Sequence, residues 1–368
     1  MKIAIVILNW NTKEYLKRWL PALIASCKTI GDEDKARVIV ADNASTDGSV
    51  ELLRELFPEV GLITLDQNYG FTGGYNKALE EIEADYFLLI NTDIEVEGNW
   101  LKPLVDWMDT HPECGVCAPK LHALICTSGN PKEENAVFER SDRFEYAGAA
   151  GGMLDRFGFP YCRGRVMSRT EQDRGQYNEP HDVLWATGAC LMTRRSLWKE
   201  LGGLDSRFFA HMEEIDYCWR AQLAGYKVTI VPESVVWHLG GGTLPQTSAF
   251  KLKLNFRNCL LMMEGNLQAT FQAMGMSKSR AKCKASCRLF MRRVLDQAAA
   301  IVYMLTGHKD FAKAVWEAHR EYKALRTANH TRLALRVPDG LSKLCIIPLS
   351  VIKGDKVFES IRKYESGN

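Results

Sequence analysis

The feature that most constrains the fold is an alternation of strand-like and helix-like segments in the first quarter of the chain. Short apolar runs alternate with segments that carry apolar residues at helical spacing, at roughly 13–27, 48–57 and 73–84. Strands that alternate with helices pair in parallel and are covered by those helices, so the pattern predicts an α/β fold with a mostly parallel sheet. The four apolar runs are "IAIVIL" (3–8), "RVIVA" (37–41), "VGLITL" (60–65) and "YFLLI" (86–90).

Composition narrows the class of protein. The 368 residues carry a formal net charge of +2 and are 46% apolar, so no overall field points to nucleic acid. Eleven cysteines show no disulfide framework, and the start "MKIAIVILNW" lacks the layout of a secretory leader. No apolar run reaches the roughly 18 residues of a membrane-spanning helix. We expect a cytoplasmic protein that is either soluble or peripheral on the inner face of the cytoplasmic membrane.

Periodicity also divides the chain. It weakens over residues 126–182, as expected of an insertion or of long active-site loops, and returns at 182–197 and 226–232. From about residue 250 onward the signal is helical. We therefore predict a domain at 1–248, with halves at 1–121 and 122–248, followed by a helical region at 249–368.

Polar residues follow three of the predicted strands. They are Asn9–Trp10–Asn11, Asp42–Asn43 and Asn91–Thr92–Asp93. In a parallel sheet all three sets reach the same edge, where open α/β sheets bind ligands. Together they indicate a pocket of nucleotide size, because base, ribose and diphosphate each need separate polar contacts. Asp93 alone fits either a polar turn or a metal or phosphate site.

The segment "NYGFTGGYNKAL" (68–79) adds a glycine-rich turn at the start of a helix. It matches neither G-x-G-x-x-G nor a Walker A loop, which argues against a dinucleotide dehydrogenase and a P-loop enzyme. Gly70, Gly73 and Gly74 allow close backbone approach to a ligand and would present free N–H groups at the helix start. An ordinary tight turn between strand and helix is the alternative.

A second acidic segment, "FFAHMEEIDYCWR" (208–220), reads as the start of a helix. Asp216 and Arg220 have the i, i+4 spacing of an ion pair, and Glu214 projects apart from them. An ordinary charged helix start is the alternative, although the preceding "GGLDSRFFAHM" is too apolar for a solvated loop. His238 follows a further predicted strand, beside three glycines, and is either a structural histidine or part of a site with Asp93.

Residues 278–295 are rich in lysine and arginine without an acid up to Val294. The basic residues interleave with Leu289, Phe290, Met291 and Val294, which fits either a basic amphipathic helix on an anionic membrane or a solvated helical face. Nucleic-acid binding is disfavoured, because no recognised motif accompanies the charges.

The order of these segments resembles glycosyltransferase family 2, which has the GT-A nucleotide-diphospho-sugar transferase fold. The resemblance is strongest to the rhamnosyltransferase-like branch that builds bacterial surface polysaccharides, and it covers roughly residues 1–245. The segments that carry it are "IVILNWN", "VIVADNASTDGS", "NYGFTGGYNKAL", "LLINTDIEV", "GLDSRFFAHMEEIDYCWR" and "VVWHLGGGT". It implies a nucleotide-binding half at 1–121 and an acceptor and catalytic half at 122–248.

The resemblance also implies roles for individual residues. The nucleotide-sugar contacts would be Asn9, Asn11, Asp42, Asn43, Asn68, Gly70, Asn76, Asn91 and Thr92. Asp93 matches the last carboxylate of the D-x-D motif, which holds Mn²⁺ or Mg²⁺, and Asn91 replaces its first carboxylate. His238 matches a histidine that joins the metal or the diphosphate. Glu214 occupies the position of the general base in an E-D pair that is Glu213–Glu214 here, and Asp216 is the second choice.

The resemblance therefore implies a metal-dependent, inverting glycosyltransferase. Its donor would be a UDP- or dTDP-sugar, such as dTDP-rhamnose, and its acceptor a hydroxyl of a glycan or lipid-linked saccharide. One alternative is a nucleotidyltransferase, but "LNWNTKEYL" offers no loop of the required kind. The other is a sugar-nucleotide-binding scaffold that has lost catalysis, since Asn91 and Glu214 both depart from the family pattern. The helical region would contact the membrane through 278–295 or form a homodimer.

Overall fold

The computed structural model describes residues 2–31, 35–240, 248–327 and 333–366. Within these ranges the fold is a large central sheet with helices on both faces, a small second sheet and a helical C-terminal region. The strands are β1 (Ile3–Asn9), β2 (Ala36–Asp42), β3 (Gly61–Thr64), β4 (Tyr86–Ile90), β5 (Ile94–Glu95), β6 (Cys114–Cys126), β7 (Phe138–Phe144), β8 (Gly152–Leu154), β9 (Pro160–Cys162), β10 (Arg165–Val166), β11 (Arg169–Thr170), β12 (His181–Asp182), β13 (Cys190–Arg194) and β14 (Lys227–His238). The helices are α1 (Lys13–Cys27), α2 (Ser49–Leu56), α3 (Gly70–Glu80), α4 (Leu101–Thr110), α5 (Arg195–Leu201), α6 (Glu213–Leu223), α7 (Ala249–Ala273), α8 (Lys278–Leu305), α9 (Lys309–Leu325), α10 (Ile346–Lys353) and α11 (Val357–Glu365).

The first half of the central sheet is parallel, in the order β3-β2-β1-β4. Asn9 pairs with Asp42, and Ile7 with Ile90, so the three strands end at nearly the same level. The strands are apolar on both faces because helices cover both sides of the sheet. The predicted α/β alternation is confirmed, and the polar residues that follow each strand do reach one edge.

Strand β13 runs antiparallel between β4 and β6, with Cys190 opposite Ile90. β14 then pairs in parallel with β6, so the order continues β4-β13-β6-β14-β12. Because β13 begins where β4 ends, the loop before β13 reaches the same edge as the residues after β4. Periodicity does not encode strand direction, so this reversal could not be predicted from the apolar pattern.

Residues 126–182 contain more regular structure than the weak periodicity indicates. β7 extends the central sheet beside β6, and β8–β11 form a separate four-stranded antiparallel sheet. Several of these strands have only two or three residues, which is too short for a period-2 pattern to be recognised.

Helices α7, α8 and α9 form the main part of the C-terminal region, which packs against the part of the fold that contains the sheet. Trp219 of α6 donates through Nε1 to Thr270 Oγ1 of α7 at 2.8 Å, and one apolar core includes residues from both sides of residue 248. In the described ranges, no helix is long and apolar enough to cross a membrane.

Candidate functional site

The residues that follow β4 lie beside the end of β14. Asp93 is 5% exposed, and its Oδ1 lies 3.2 Å from Nε2 of His238. The other ring nitrogen of His238, Nδ1, lies 3.3 Å from Oε2 of Glu145. Asn91 Nδ2 is 3.5 Å from His238 Nε2. The structure therefore brings the two predicted metal ligands together and adds Glu145, which the sequence analysis missed. The glycines and threonine at 241–243 lie outside the described residues.

The imidazole of His238 is enclosed by negative charge. Burial alone would lower its pKa, but the carboxylates of Asp93 and Glu145 outweigh burial and raise the pKa to about 10. A protonated ring between two buried carboxylates offsets the cost of their desolvation. The two buried carboxylates, Asp93 and Glu145, therefore favour a positive charge between them.

The donor atoms at this edge fit a divalent cation in part. Asp93 offers a carboxylate oxygen, and His238 offers an imidazole nitrogen once a cation displaces the proton of its ring. Mg²⁺ and Mn²⁺ commonly complete such a shell with waters and substrate phosphate oxygens. Across the described portion of the chain, no group of three or more His, Cys, Asp or Glu side chains is arranged to hold a metal ion. A cation here would therefore depend on oxygens from a bound diphosphate.

Asn9 and Asp42 form a buried group where β1 and β2 end. Asn9 Nδ2 donates to Asp42 Oδ2 at 2.7 Å and to Ser45 Oγ at 3.0 Å, while Thr12 Oγ1 donates to Asn9 Oδ1 at 2.6 Å. Asn9 is completely buried. Its amide thus holds the residues that follow β1 and β2 in place. Asn11, two residues after Asn9, is partly exposed and has φ 55°.

Asn43 connects these residues to the glycine-rich turn. Its Nδ2 donates to Asn68 Oδ1 at 3.0 Å and to the Gly70 carbonyl at 3.1 Å, and its Oδ1 accepts from the Tyr69 N–H at 3.0 Å. Asn76 lies apart from this group, because both ends of its amide bond the backbone of Leu204, at 2.7 and 2.9 Å. The predicted nucleotide contacts up to Asn68 and Gly70 are therefore contiguous, and Asn76 supports the fold nearby.

The glycine-rich turn is closed by the loop that precedes α6. Gly70 has φ 69°, and a Cβ at this position would lie 2.5 Å from the ring of Phe209. The Phe71 N–H donates to the Phe209 carbonyl at 2.8 Å, and the Thr72 N–H donates to the same carbonyl at 3.1 Å. The Gly70 N–H donates to Asn68 Oδ1 at 2.8 Å. The expectation of a free N–H group is wrong for Gly70, because Asn68 accepts from it, and the Phe209 carbonyl caps the next two N–H groups.

Helix α6 presents the two glutamates. Phe209, His211 and Met212 have φ between 65° and 72°, so a run of left-handed residues leads into Glu213. Such conformations are unfavourable for residues with a Cβ and need support from their surroundings. That support comes from Asn258 of α7, whose Nδ2 lies 2.7–2.9 Å from the carbonyl oxygens of residues 208, 210 and 211.

Burial changes the acidity of both glutamates. Burial raises the pKa of Glu214 to about 7 and outweighs the N–H groups of the helix start, which act in the opposite direction. Burial, with the neighbouring charge of Glu214, raises the pKa of Glu213 well above its ordinary value. One carboxyl oxygen of each has no hydrogen-bond partner among the described residues. At this helix start, desolvation therefore has a larger effect on the pKa of Glu214 than the backbone N–H groups.

Both carboxylate oxygens of Asp216 accept hydrogen bonds from other side chains, so this residue has a structural role. Its Oδ2 accepts from Arg220 Nε at 2.7 Å and its Oδ1 from Asn266 Nδ2 at 2.7 Å. The predicted i, i+4 ion pair is confirmed. Of the three predicted acids, Glu214 is the one with a raised pKa near neutrality and a carboxyl oxygen free of hydrogen bonds.

Glu214 is connected to the Asp93 edge through the loop before β13. Gly188 packs against it, since a Cβ on Gly188 would lie 3.5 Å from Cβ of Glu214 and 3.3 Å from the ring of Phe71. The next residue, Ala189, accepts from the Asn91 N–H at 2.9 Å. One region at the carboxyl end of the sheet is therefore surrounded by Glu214, by the glycine-rich turn and by the edge that carries Asp93.

Two further residues of this region, Glu145 and His211, were not among the predicted site residues. Glu145 lies in the segment of weak periodicity. His211 is largely buried, which lowers its pKa to about 4, and its Nε2 has no hydrogen-bond partner in the part of the chain described. Its position two residues before Glu213, in a strained loop, is the signal that could have singled it out.

A cavity of about 840 Å³ lies at the opposite, amino-terminal end of β6 and β14. It is lined by Cys114 and Lys227, the first residues of β6 and β14, and by Asp182 at the end of β12, so it lies at the end of β14 away from His238. Cavity size therefore does not locate the site described here.

Comparisons with known proteins agree with this geometry. A sequence model described as glycosyl transferase family 2 matches residues 4–202. The N-acetylglucosaminyl-diphospho-decaprenol L-rhamnosyltransferase of Mycobacterium tuberculosis is 25% identical over 247 residues, which cover 64% of this chain and 75% of that protein.

Two solved structures share the fold. The first 349 residues of Staphylococcus aureus TarS, solved with UDP-GlcNAc, align with a TM-score of 0.54 and 13% identity over 100% of this chain and 93% of that one. GalNAc-T7, solved with UDP, GalNAc and Mn²⁺, aligns with a TM-score of 0.53 and 17% identity over 78% of this chain and 54% of that one. The prediction of a GT-A fold with a helical C-terminal region is confirmed.

Proposed function

This chain belongs to glycosyl transferase family 2, and from that premise we propose that it moves a sugar, with inversion, from a dTDP- or UDP-sugar to a hydroxyl of a lipid-linked saccharide. It is a nucleotide-sugar glycosyltransferase of cell-envelope glycan synthesis. The L-rhamnosyl and diphospho-decaprenol parts of the relative's name favour dTDP-rhamnose as the first donor to test and a polyprenyl diphosphate saccharide as the acceptor.

The observation that carries the proposal is the environment of Glu214. A buried carboxyl with a pKa of about 7 is poised to take a proton near neutral pH. In the proposed reaction its carboxylate removes the proton of the acceptor hydroxyl. That oxygen bonds to the anomeric carbon from the face opposite the diphosphate, and the bond between the carbon and the diphosphate oxygen breaks. The nucleoside diphosphate leaves with the electron pair.

Asp93 and His238 would hold a divalent cation, which supplies positive charge for the leaving diphosphate. The support is their contact at 3.2 Å and the negative charge that gathers there with Glu145. The Mn²⁺ named in the GalNAc-T7 structure favours manganese as the first ion to test. Asn91, beside His238, would orient the ring or a bound water.

The decisive experiment is calorimetry of UDP and dTDP binding with and without Mn²⁺. We expect manganese to tighten binding to the wild type by at least about tenfold, and Asp93→Ala to remove that gain. Asp106→Ala, at an exposed ion pair on α4, is the matched control and should bind like the wild type. Failure of both nucleotides to bind under any metal condition would refute the donor assignment. Binding that manganese does not change would refute the cation.

Donor turnover separates a transferase from a scaffold that has lost catalysis. The wild type should hydrolyse or transfer the sugar of its donor slowly without the natural acceptor, and Glu214→Gln should not. Nucleotide binding without any turnover, with donor and polyprenyl-linked acceptor both present, would favour the scaffold. The anomeric configuration of the product, read by NMR, tests inversion.

A further inference from the structure

Helix α8 leaves a long apolar face unpacked. Its buried residues are Ala281, Arg292, Asp296 and Ala300, which recur at helical spacing on one side. The opposite side carries large apolar side chains, with Phe290 63%, Ile301 56% and Leu305 82% exposed. We define the outer face of α8 as Phe290, Met291, Val294, Ile301, Val302 and Leu305, all exposed. Exposed apolar residues that share one helix face mark an interaction surface.

The exposed charges on the same helix are all positive. Lys278, Arg280, Lys282 and Lys284 are exposed in its first third, and helical spacing puts Arg280 and Lys284 on the side of the outer face. The acid of the helix, Asp296, is fully buried and accepts from Arg292 Nε at 2.7 Å. Arg292 is therefore not part of the basic surface that the sequence indicates, and its charge is neutralised inside.

Contacts with α7 fix the direction of α8 relative to the site. Arg288 lies over the ring of Phe271 near the end of α7, whereas Arg292 Nη1 lies 2.9 Å from Cys259 Sγ in its first half. The two helices are thus antiparallel. The apolar half of α8 points toward the end of α7 that holds the loop before Glu214 through Asn258.

We propose that the outer face of α8 lies on an anionic lipid bilayer, with its apolar side chains in the headgroup boundary and its basic residues on lipid phosphates. A positive, acid-free exposed surface beside an apolar stripe is complementary to such a bilayer. A second copy of this face would bring only positive charges of its own and so lacks that complementarity. The inference rests on this surface and not on the proposed donor or acceptor.

The test is co-sedimentation of the full chain with two kinds of vesicle. One is phosphatidylcholine alone, and the other contains phosphatidylglycerol as about one lipid in three, which makes it anionic. We expect binding to the anionic vesicles that weakens as salt rises. Arg280→Glu, on the side of the outer face, should weaken it by roughly fivefold or more. Phe290→Ser with Val294→Ser and Ile301→Ser should weaken it by at least roughly 100-fold.

Matched controls lie elsewhere on the surface. Arg54→Glu with Lys199→Glu reverses two exposed charges on α2 and α5, and Leu56→Ser removes an exposed apolar side chain. Both should bind vesicles like the wild type, and circular dichroism should show every variant folded. The proposal is overturned if the wild type does not bind anionic vesicles, or if the control substitutions weaken binding as much as the α8 substitutions. It is also overturned if sedimentation velocity shows a dimer that Phe290→Ser disrupts, since the face would then bind a second copy.

Discussion

The Glu214 carboxyl shows how position decides acidity at the scale of one residue. The same side chain at a solvated helix start would ionise easily, aided by the N–H groups of the first turn. Here Gly188 packs against it and a carboxyl oxygen is buried, so the cost of desolvation outweighs those N–H groups. Sequence could place Glu214 near a helix start, but its solvation depends on residues more than 20 positions away.

We expect the pH profile of kcat/KM to rise through an apparent pKa of about 7 and to level off above it, because the base must lose its proton. Glu214→Gln should lower kcat by roughly 10²–10⁴-fold across the profile. Glu200→Gln, at an exposed glutamate on α5, should leave the profile unchanged. An unchanged profile in Glu214→Gln would assign the base elsewhere, with Glu213 the next residue to test.

The same group makes a prediction for stability. A pKa raised on folding means that the folded chain keeps a proton that the unfolded chain releases. Its contribution is therefore present at acid pH and is lost as pH rises from the ordinary value of 4.5 to about 7. Thermal unfolding should show Glu214→Gln gaining stability relative to the wild type as pH rises through that window. A difference that does not vary with pH would contradict the raised pKa.

At the scale of elements, prediction succeeded where the pattern was local. β1, α1, β2 and β4 lie within a residue or two of the predicted bounds, since each has its own apolar period. The reversed direction of β13 and the small sheet β8–β11 depend on pairing with distant strands, which no local period reveals. Glu145 was missed for the same reason, because tertiary contacts alone bring it to the site.

The start of α3 gives a sharp test of one such contact. Gly70→Ala should destabilise the protein by about 2–5 kcal/mol, from the left-handed φ together with the clash against Phe209. Gly98→Ala is the matched control, because its φ is 59° and nothing lies within 4 Å of the added Cβ. It should cost about 1–2 kcal/mol, the conformational part alone. Denaturant unfolding measures both, and equal losses would show that Phe209 moves aside freely.

At the scale of the molecule, a buried ion cluster joins the helical region to the rest of the chain. Asp296 binds Arg292 and lies 3.2 Å from His319 Nε2 of α9. Arg292 also lies 3.9 Å over the ring of Phe159 and donates through Nη1 to the Gly158 carbonyl at 2.8 Å. The domain boundary at 248 stays a prediction, but contacts of this kind favour cooperative unfolding across it.

Asp296→Asn should therefore lower the free energy of unfolding by about 3–5 kcal/mol, because Arg292 loses its buried counter-charge. Asp355→Asn is the control, since its ion pair with Arg169 is exposed, and it should change little. Within each of the three proteins, circular dichroism and tryptophan fluorescence should report one and the same unfolding midpoint. Two separated transitions would mean that the helical region unfolds as an independent unit.

The carbonyl of Phe209 has a consequence for engineering. It caps the helix that follows the glycine-rich turn, and it belongs to the loop that leads into Glu214. The glycine-rich turn and the loop before Glu214 are therefore connected through the hydrogen bonds of one carbonyl, and neither can be exchanged alone. A chimaera that borrows the 208–212 loop from a relative with a different acceptor would also need that relative's 68–72 turn. Specificity in this architecture is inherited in matched pairs of segments.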